Sequence, residues 1–388
     1  PGPELLRPGL AKRRMMQGLY VHVPFCPTLC PYCDFHVVRR HGGVVAAYLK
    51  RLSQEARALY EQYPAPPSTL YFGGGTPSFL RSGELQALFA ALPWEIGGAE
   101  VTLEANPGTL NAERLQLLRG LGVNRLSLGV QSFQDKVLRT LGRAHGRKGA
   151  LKAVEISLEA GFRTSLDLIL GLPGQALEAD LREACALGVG HISAYTLQIE
   201  PGTPFALANL QTDEEQEARA FERAEEILGE AGFVRYEVSN FAKPGQECRH
   251  NQVYWQLGFW GALGPGATAH LPGPAGKALA IRATNPPLPR WLAGEAPAIE
   301  EISPLEHAKE ALMLGLRLRE GVDVGELEQR TRLELWPALA PSLQKLVAGG
   351  WLKTSGKRLR ATKLSTLHPI ILQLWEALEA KETLQIPG

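Results

Sequence analysis

Apolar positions recur along the chain in two alternating registers. A short run, Gly18-Leu19-Tyr20-Val21-His22-Val23, reads as a buried strand, and residues 44–63 then carry Val45, Tyr48, Leu49, Leu52, Ala56 and Leu59 at helical spacing until Pro64 ends the helix. The unit repeats: strand 68–72 with helix 83–92, strand 100–104 with helix 112–121, and strand 125–130 with helices 135–141 and 148–160. Strand 164–170 with helix 177–187 and strand 191–199 with helix 213–231 complete the series. This alternation predicts an α/β fold with a parallel sheet and right-handed crossovers, and six units rather than eight predict a partial (β/α)6 barrel. In such barrels the chemistry gathers in loops at the C-terminal ends of the strands.

Beyond residue 233 the pattern weakens. Residues 234–239 read as one more strand, followed by Cys248-Arg249-His250-Asn251-Gln252-Val253-Tyr254-Trp255, a glycine-rich run over 258–266, and Pro286, Pro287 and Pro289, which read as a linker. Helices at 304–319, 324–330 and 339–347, a turn at Ser355-Gly356, a strand at 357–361 and a helix at 369–380 predict a mainly helical, winged-helix-like module. The expected domains are thus an N-terminal extension (1–16), the barrel (17–240), an irregular segment and linker (241–302) and the C-terminal module (303–388). Residues 1–14 lack periodicity and carry Lys12, Arg13 and Arg14 with no apolar signal core after them.

Composition narrows the class. With 388 residues, 45% hydrophobic and 21% charged, the chain can bury a sizeable core, and no apolar run approaches the roughly 20 residues that span a bilayer. Lys and Arg number 41 against 40 Asp and Glu, so global charge selects neither nucleic acid nor an anionic membrane as an obligatory partner. The basic run Lys353, Lys357, Arg358, Arg360 and Lys363 falls on the expected wing, but the preceding helix offers only Lys345. A solvated face, or a docking surface for a partner or anionic lipid heads, fits that run better than DNA. Three of the five cysteines are clustered and two lie far apart, which reads as a protein of the reducing cytoplasm rather than a disulfide framework.

The clustered thiols, Cys26, Cys30 and Cys33, directly follow the first strand. Thiolates at this spacing suit zinc, with His22, Asp34 or His36 completing a closed set, or a four-iron cluster with one iron left without a protein ligand. Gly73-Gly74-Gly75 after the second strand lets backbone approach a ligand, or is an ordinary strand-to-helix turn. The G-x-x-x-x-G-K-[ST] and G-x-G-x-x-G patterns are missing, which argues against nucleoside-triphosphatase and dinucleotide readings. Asp167, between Leu166 and Leu168, needs a partner if it faces inward. Arg143 reads either as a carboxylate-binding fork or as a solvated helix-end charge. Cys185 reads as core packing and Cys248 as an inert loop thiol unless its surroundings are electropositive.

Together, the cysteine spacing with Tyr32 before the third thiol, the glycine turn and the repeated strand–helix units resemble the radical S-adenosylmethionine (SAM) superfamily. Tyr20-Val21-His22-Val23-Pro24-Phe25-Cys26, Gly73-Gly74-Gly75-Thr76-Pro77, Ser127-Leu128-Gly129-Val130-Gln131-Ser132-Phe133, Asp167-Leu168-Ile169-Leu170-Gly171-Leu172-Pro173-Gly174 and Glu200-Pro201-Gly202-Thr203 resemble its coproporphyrinogen-III-oxidase-like group. The resemblance implies a 4Fe-4S cluster on Cys26, Cys30 and Cys33, with SAM on the open iron. It further implies that Tyr20 and Tyr32 pack near cluster and cofactor, that Gly74, Gly75 and Thr76 line the methionine end of SAM, and that Glu104, Gln131, Arg143 and Asp167 contact the cofactor. The decarboxylating oxidases carry a further cysteine two residues after the third ligand, where this chain has Phe35. His250 to Trp255 instead resembles the H-N-x-x-Y-W signature of the heme chaperones usually called HemW, which implies His250 as a heme ligand.

The resemblance therefore implies a cytoplasmic protein, peripheral at the inner membrane face where its acceptor is there, that binds cluster, SAM and heme. It would hand heme to acceptor proteins, including respiratory, membrane-associated ones, without nucleic acid, and with a homodimer left open. The alternative it implies is an enzyme, oxygen-independent coproporphyrinogen III dehydrogenase, which oxidatively decarboxylates a propionate side chain in heme biosynthesis. A zinc-stabilised regulatory protein is the third reading.

Overall fold

The computed structural model describes residues 15–210, 212–274 and 277–380. Of the expected extension (1–16), residues 1–14 lie outside the described residues, and Met16 is buried in the barrel core. Six parallel strands, β1 (Gly18–Val23), β2 (Thr69–Gly74), β3 (Glu100–Ala105), β4 (Arg125–Gln131), β5 (Arg163–Leu170) and β6 (His191–Thr196), lie side by side in sequence order. Helices α1 (Gly42–Gln62), α2 (Ser82–Ala90), α3 (Ala112–Gly120), α4 (Asp135–Thr140), α5 (Gly146–Glu159) and α6 (Leu177–Ala186) return the chain between them, and α7 (Pro204–Leu207) and α8 (Glu214–Glu230) follow β6. Asn111 and Asp213 start α3 and α8 by accepting backbone N–H groups of the first turn.

The strands alternate in chemistry as well as in direction of side chains. Leu19, Val21, Leu70, Phe72, Val101, Leu103, Leu126, Leu128 and Leu166 are fully buried and share one core with Val45, Tyr48, Leu52 and Ala56 of α1. Each such side chain contributes about 1.5–3 kcal/mol on burial, so this face fixes the register of every strand. The intervening positions, Tyr71, Glu104, Arg125, Ser127, Asp167, His191 and Ser193, face a cavity on the other side. A strand repeats every two residues, so burying one set on the helices delivers the other set to the barrel interior.

The sheet exceeds the six-stranded expectation on both sides. The strand expected over 234–239 is instead two short ones, β7 (Val234–Arg235) and β8 (Asn240–Ala242), with β8 antiparallel to β6. The segment 241–302, expected to be irregular, forms α9 (Arg249–Trp255), β9 (Trp260–Leu263), β10 (Thr268–Pro272), β11 (Ala280–Thr284), α10 (Leu288–Leu292) and β12 (Ala298–Ile302). β9 pairs parallel to β1, and β10, β11 and β12 extend the edge antiparallel, giving one twelve-stranded sheet in the order β12-β11-β10-β9-β1-β2-β3-β4-β5-β6-β8-β7. These strands are short and broken by glycine, and the partner of β9 lies more than 200 residues earlier, so local pattern did not disclose them. The proline-rich linker begins α10, with Pro287 as its N-cap, and α10 drives Trp291 against Tyr48 with ring centroids 5.5 Å apart.

The C-terminal module matches its expectation in kind. Helices α11 (Pro304–Gly315), α12 (Val324–Thr331) and α13 (Leu335–Ala348) precede the hairpin β14 (Leu352–Ser355) and β15 (Arg358–Ala361), which β13 (Val322–Asp323) joins as a third strand, and α14 (Leu367–Glu379) closes the chain. Ser303 and Glu306 form a capping box at the start of α11, and Leu312, Leu316, Val324, Leu339, Leu359 and Leu374 build a core separate from that of the barrel.

Candidate functional site

At the C-terminal ends of β1 to β6 lies a cavity of about 350 Å³. Cys26, Cys30, Cys33, Tyr32, Gly74, Gly75, Thr76, Glu104, Gln131, Arg143 and Asp167 all line it, so eleven residues singled out in the sequence come together here. Tyr20 and His250 do not.

The glycine turn shapes the floor. Gly74 has φ +100°, and a Cβ there would lie 2.3 Å from the His22 ring. Gly75 donates its N–H to the Val23 carbonyl at 2.9 Å, holding β2 against the end of β1. The strain-free route through this turn is open to glycine alone. Gln131 takes φ 69° where the β4–β5 register shifts, which ends the strand and leaves its side chain in the cavity wall.

Two carboxylates face each other's field across the cavity. Glu104 accepts from Tyr71 Oη at 2.9 Å and from the Gly74 N–H at 3.0 Å, yet burial, then the charge of Asp167, pushes its pKa up to about 7. Asp167 accepts from Ser127 Oγ at 3.1 Å, and burial pushes it up to about 6 against hydrogen bonds from Ser193 and Ser127. Desolvated acids without a full set of partners favour a cation in the space between them. On the opposite wall Arg143 donates through Nη2 to the Gly129 carbonyl at 3.0 Å and through Nη1 to Cys30 Sγ at 3.6 Å. Its buried Nε has no partner, which leaves one N–H of the fork for an acceptor such as a carboxylate.

The thiols fit a cluster. Thr76 Oγ1 donates to Cys26 Sγ at 3.7 Å, so two of the three sulfurs already accept a hydrogen bond as thiolates do. Burial pushes the Cys26 thiol up to about 11 and raises Cys33 as well, a cost that a bound cation removes by its own charge. Among the described residues, no three His, Cys, Asp or Glu side chains converge as the ligands of a single ion must. A four-iron cluster takes each thiolate on a different iron, so it does not need the three sulfurs to meet at one ion. His22, one of the candidates to complete a zinc site, already uses both ring nitrogens, Nδ1 with Tyr20 Oη at 3.0 Å and Nε2 with the His36 carbonyl at 2.9 Å.

Tyr20 lines a neighbouring cavity of about 490 Å³, which shares Gly74, Glu104, Asp34 and Phe35 with the first. His250 is fully buried beneath the sheet. Its Nδ1 is hydrogen-bonded to Thr69 Oγ1 at 2.8 Å and its Nε2 to Tyr254 Oη at 2.7 Å, and its ring stacks on Tyr71 at 5.2 Å. Burial lowers its pKa to about 3. The ring expected to ligate heme therefore has neither a free nitrogen nor an open face in this conformation. Its neighbours reach where it does not: Asn251 lines the first cavity and Tyr254 the second. Tyr71, Arg125, His191 and Ser193 were missed by motif reading, and Ser127 entered only as the start of a quoted motif, although the two-residue alternation along β2, β4 and β6 marks each of them as facing inward.

Comparison with known proteins places the chain in a family. The family model for the radical SAM superfamily matches residues 20–185, and that for the HemN C-terminal domain matches residues 302–365. The heme chaperone HemW of Synechocystis sp. is 37% identical over 364 residues, covering 88% of each chain. The HemW of Escherichia coli is 36% identical, covering 86% of this chain and 91% of that one, and the HemW of Bacillus subtilis 35%, with the same coverage. The solved coproporphyrinogen III oxidase HemN from Escherichia coli aligns with a TM-score of 0.77 at 22% identity, over 95% of this chain and 91% of that chain, which shows a common fold. With its thiol loop, glycine turn and nearly full-length kinship to these proteins, the chain belongs to the radical SAM superfamily and, within it, to the HemW family.

Proposed function

We propose that this protein is a heme chaperone, carrying heme next to a cluster-and-SAM cavity and passing it to acceptor hemoproteins. The observation that carries the reading is kinship over nearly the whole chain to proteins named heme chaperones. Phe35 supports it: 62% exposed at the rim of both cavities, it is an apolar side chain where the resemblance to the decarboxylating oxidases calls for another cysteine.

On this reading Cys26, Cys30 and Cys33 hold a 4Fe-4S cluster, which supplies an iron without a protein ligand and one-electron chemistry. Thr76 and Arg143 stabilise its thiolates, and the free Nε–H of Arg143 stands ready for the carboxylate of SAM. Glu104 and Asp167 balance the positive charge of the same cofactor, and Gly74 keeps the floor low enough to admit it. Tyr32, its phenol raised by burial, stays neutral and packs against Phe205 with ring centroids 6.3 Å apart.

We place the protein in the reducing cytoplasm on the strength of its thiols, all five of them free. Among the described residues no helix is long and apolar enough to cross a membrane. Contact with membrane-bound acceptors is supported by Val347 near the end of α13 and Trp351 just before the hairpin, both exposed and near the exposed Lys345 and Lys353 in sequence.

The fold shared with HemN favours one second reading, the dehydrogenase. Cluster-reconstituted protein incubated anaerobically with coproporphyrinogen III, SAM and a reductant decides between them. The chaperone leaves the tetrapyrrole mass unchanged and, in a parallel assay, transfers hemin to an apo-hemoprotein; loss of carbon dioxide from the tetrapyrrole would establish the enzyme.

A further inference from the structure

We propose that the groove between α8 and the C-terminal module receives an amphipathic helix of a partner protein, one edge of that helix acidic and the other basic. The proposal stands apart from the chaperone reading. The groove encloses about 940 Å³, and α8 lines it from Glu214 to Gly229, a run of about 23 Å. That length fits a segment of polypeptide better than a small molecule.

The two walls carry opposite charge. Glu214, Glu217 and Glu222 lie on the α8 side, and Arg319, Lys353, Arg360 and Lys363 on the side of the C-terminal module. Among the described residues none of these side chains makes an ion pair, whereas their neighbours outside the groove do: Lys357 with Glu328, Arg358 with Asp323, Glu215 with Arg219 and Glu226 with Arg223. Unpaired charge is therefore gathered on the two faces of one groove and sorted by sign. A merely solvated surface has no reason to separate its paired from its unpaired charges in this way.

Between the charged rims the floor is apolar and held in place. Phe221, Val234, Val238 and Leu364 line it, and Arg235 stands 4.9 Å over the Phe221 ring while its Nη1 pairs with Glu225 at 2.9 Å. An apolar strip between charged edges is the complement of an amphipathic helix. Opposite walls also fix the direction of the bound helix, since turning it end for end brings like charges together. An anionic lipid surface would meet the glutamates of α8 along with the basic wall, so the geometry favours a protein. Thr196, at the end of β6, lines both this groove and the thiol cavity, so a bound segment reaches a wall of that cavity.

The test uses the full-length protein and three fluorescein-labelled helical peptides of about 16 residues that share one leucine face. One carries a glutamate edge and a lysine edge, one glutamate on both edges and one lysine on both. Fluorescence anisotropy at low salt is expected to show the two-signed peptide bound about tenfold or more tightly than either of the others, with the preference fading as salt is raised. Lys353→Glu, Arg360→Glu and Lys363→Glu together, all at exposed positions, should transfer the preference to the all-lysine peptide. Glu214→Lys, Glu217→Lys and Glu222→Lys together should transfer it to the all-glutamate peptide, a gain that a misfolded variant cannot produce. Equal binding of the three peptides by wild type, or the wild-type order kept by a variant that melts like wild type, would overturn the proposal. Wild type that binds no peptide would overturn it too; if it then binds phosphatidylglycerol vesicles, or forms a dimer that either triple substitution dissolves, the groove belongs to a lipid surface or to a second copy.

Discussion

Nε2 of His250 lies 2.7 Å from Tyr254 Oη, one turn later on the same helix, and its Nδ1 lies 2.8 Å from Thr69 Oγ1 on β2. One imidazole therefore pins α9 to the sheet and sets the Tyr254 ring. Removing it leaves two buried hydroxyls without their partner, at about 1–3 kcal/mol each. His250→Ala is expected to lower stability to urea by at least that of one bond. A variant as stable as wild type would show that the two hydroxyls find other partners at no cost.

The three thiols line one cavity, with Arg143 and Thr76 donating to two of them. Cys30→Ser removes one ligand and the acceptor of Arg143, and should leave iron well below four per chain after reconstitution, with brown colour largely lost. Iron content equal to wild type would refute the three-thiolate site. Cys185→Ser, outside the cavity, should reconstitute fully and serves as the comparison.

Much of this was legible in the sequence because the relevant signals are local. A thiol loop following a strand, a glycine turn, and strand–helix repeats each lie within a few tens of residues, and the eleven residues they suggested converge in one cavity. Two things were not. The edge strands β9 to β12 pair in part with partners far away in the chain, so a glycine- and proline-broken stretch looked irregular. The destination of His250 was also hidden, since whether a histidine faces a ligand or its own fold depends on Thr69, 181 residues earlier, and on the burial that the sheet imposes. The polar lining of the barrel was legible in principle: Arg125 and Ser127 alternate with Leu126 and Leu128 in a strand whose other face is core.

Gly74 combines φ +100° with a Cβ position 2.3 Å from the His22 ring. Gly74→Ala must displace His22, whose hydrogen bonds to Tyr20 and to the His36 carbonyl set the wall between the two cavities. Strain of this kind costs on the order of 1–3 kcal/mol. The variant is expected to melt several degrees lower and to weaken SAM binding, whereas Gly83→Ala on α2, where nothing lies within 4 Å, should change neither. Equal melting temperatures for wild type and Gly74→Ala would show that the turn relaxes at no cost.

The facing carboxylates give the site a pH dependence whose sign follows from their environment. Burial, and for Glu104 the charge of Asp167, raises Glu104 from 4.5 to about 7, and burial raises Asp167 from 3.8 to about 6. Between about pH 4 and pH 7 the folded chain thus binds more protons than the unfolded chain, so these two groups make stability fall as pH rises through that window. A ligand bearing positive charge works in the opposite direction, since it meets its full counter-charge only when both acids are ionised. SAM affinity of the cluster-loaded protein is therefore expected to rise from about pH 5 to about pH 8, with proton release on binding at the acid end. Isothermal titration in two buffers of different ionisation enthalpy measures both quantities. Glu104→Gln keeps the shape of the floor and removes one charge, so it should bind SAM more weakly at pH 8 and respond less to pH. A pH profile for Glu104→Gln that overlays the wild-type profile would remove Glu104 from the cofactor site.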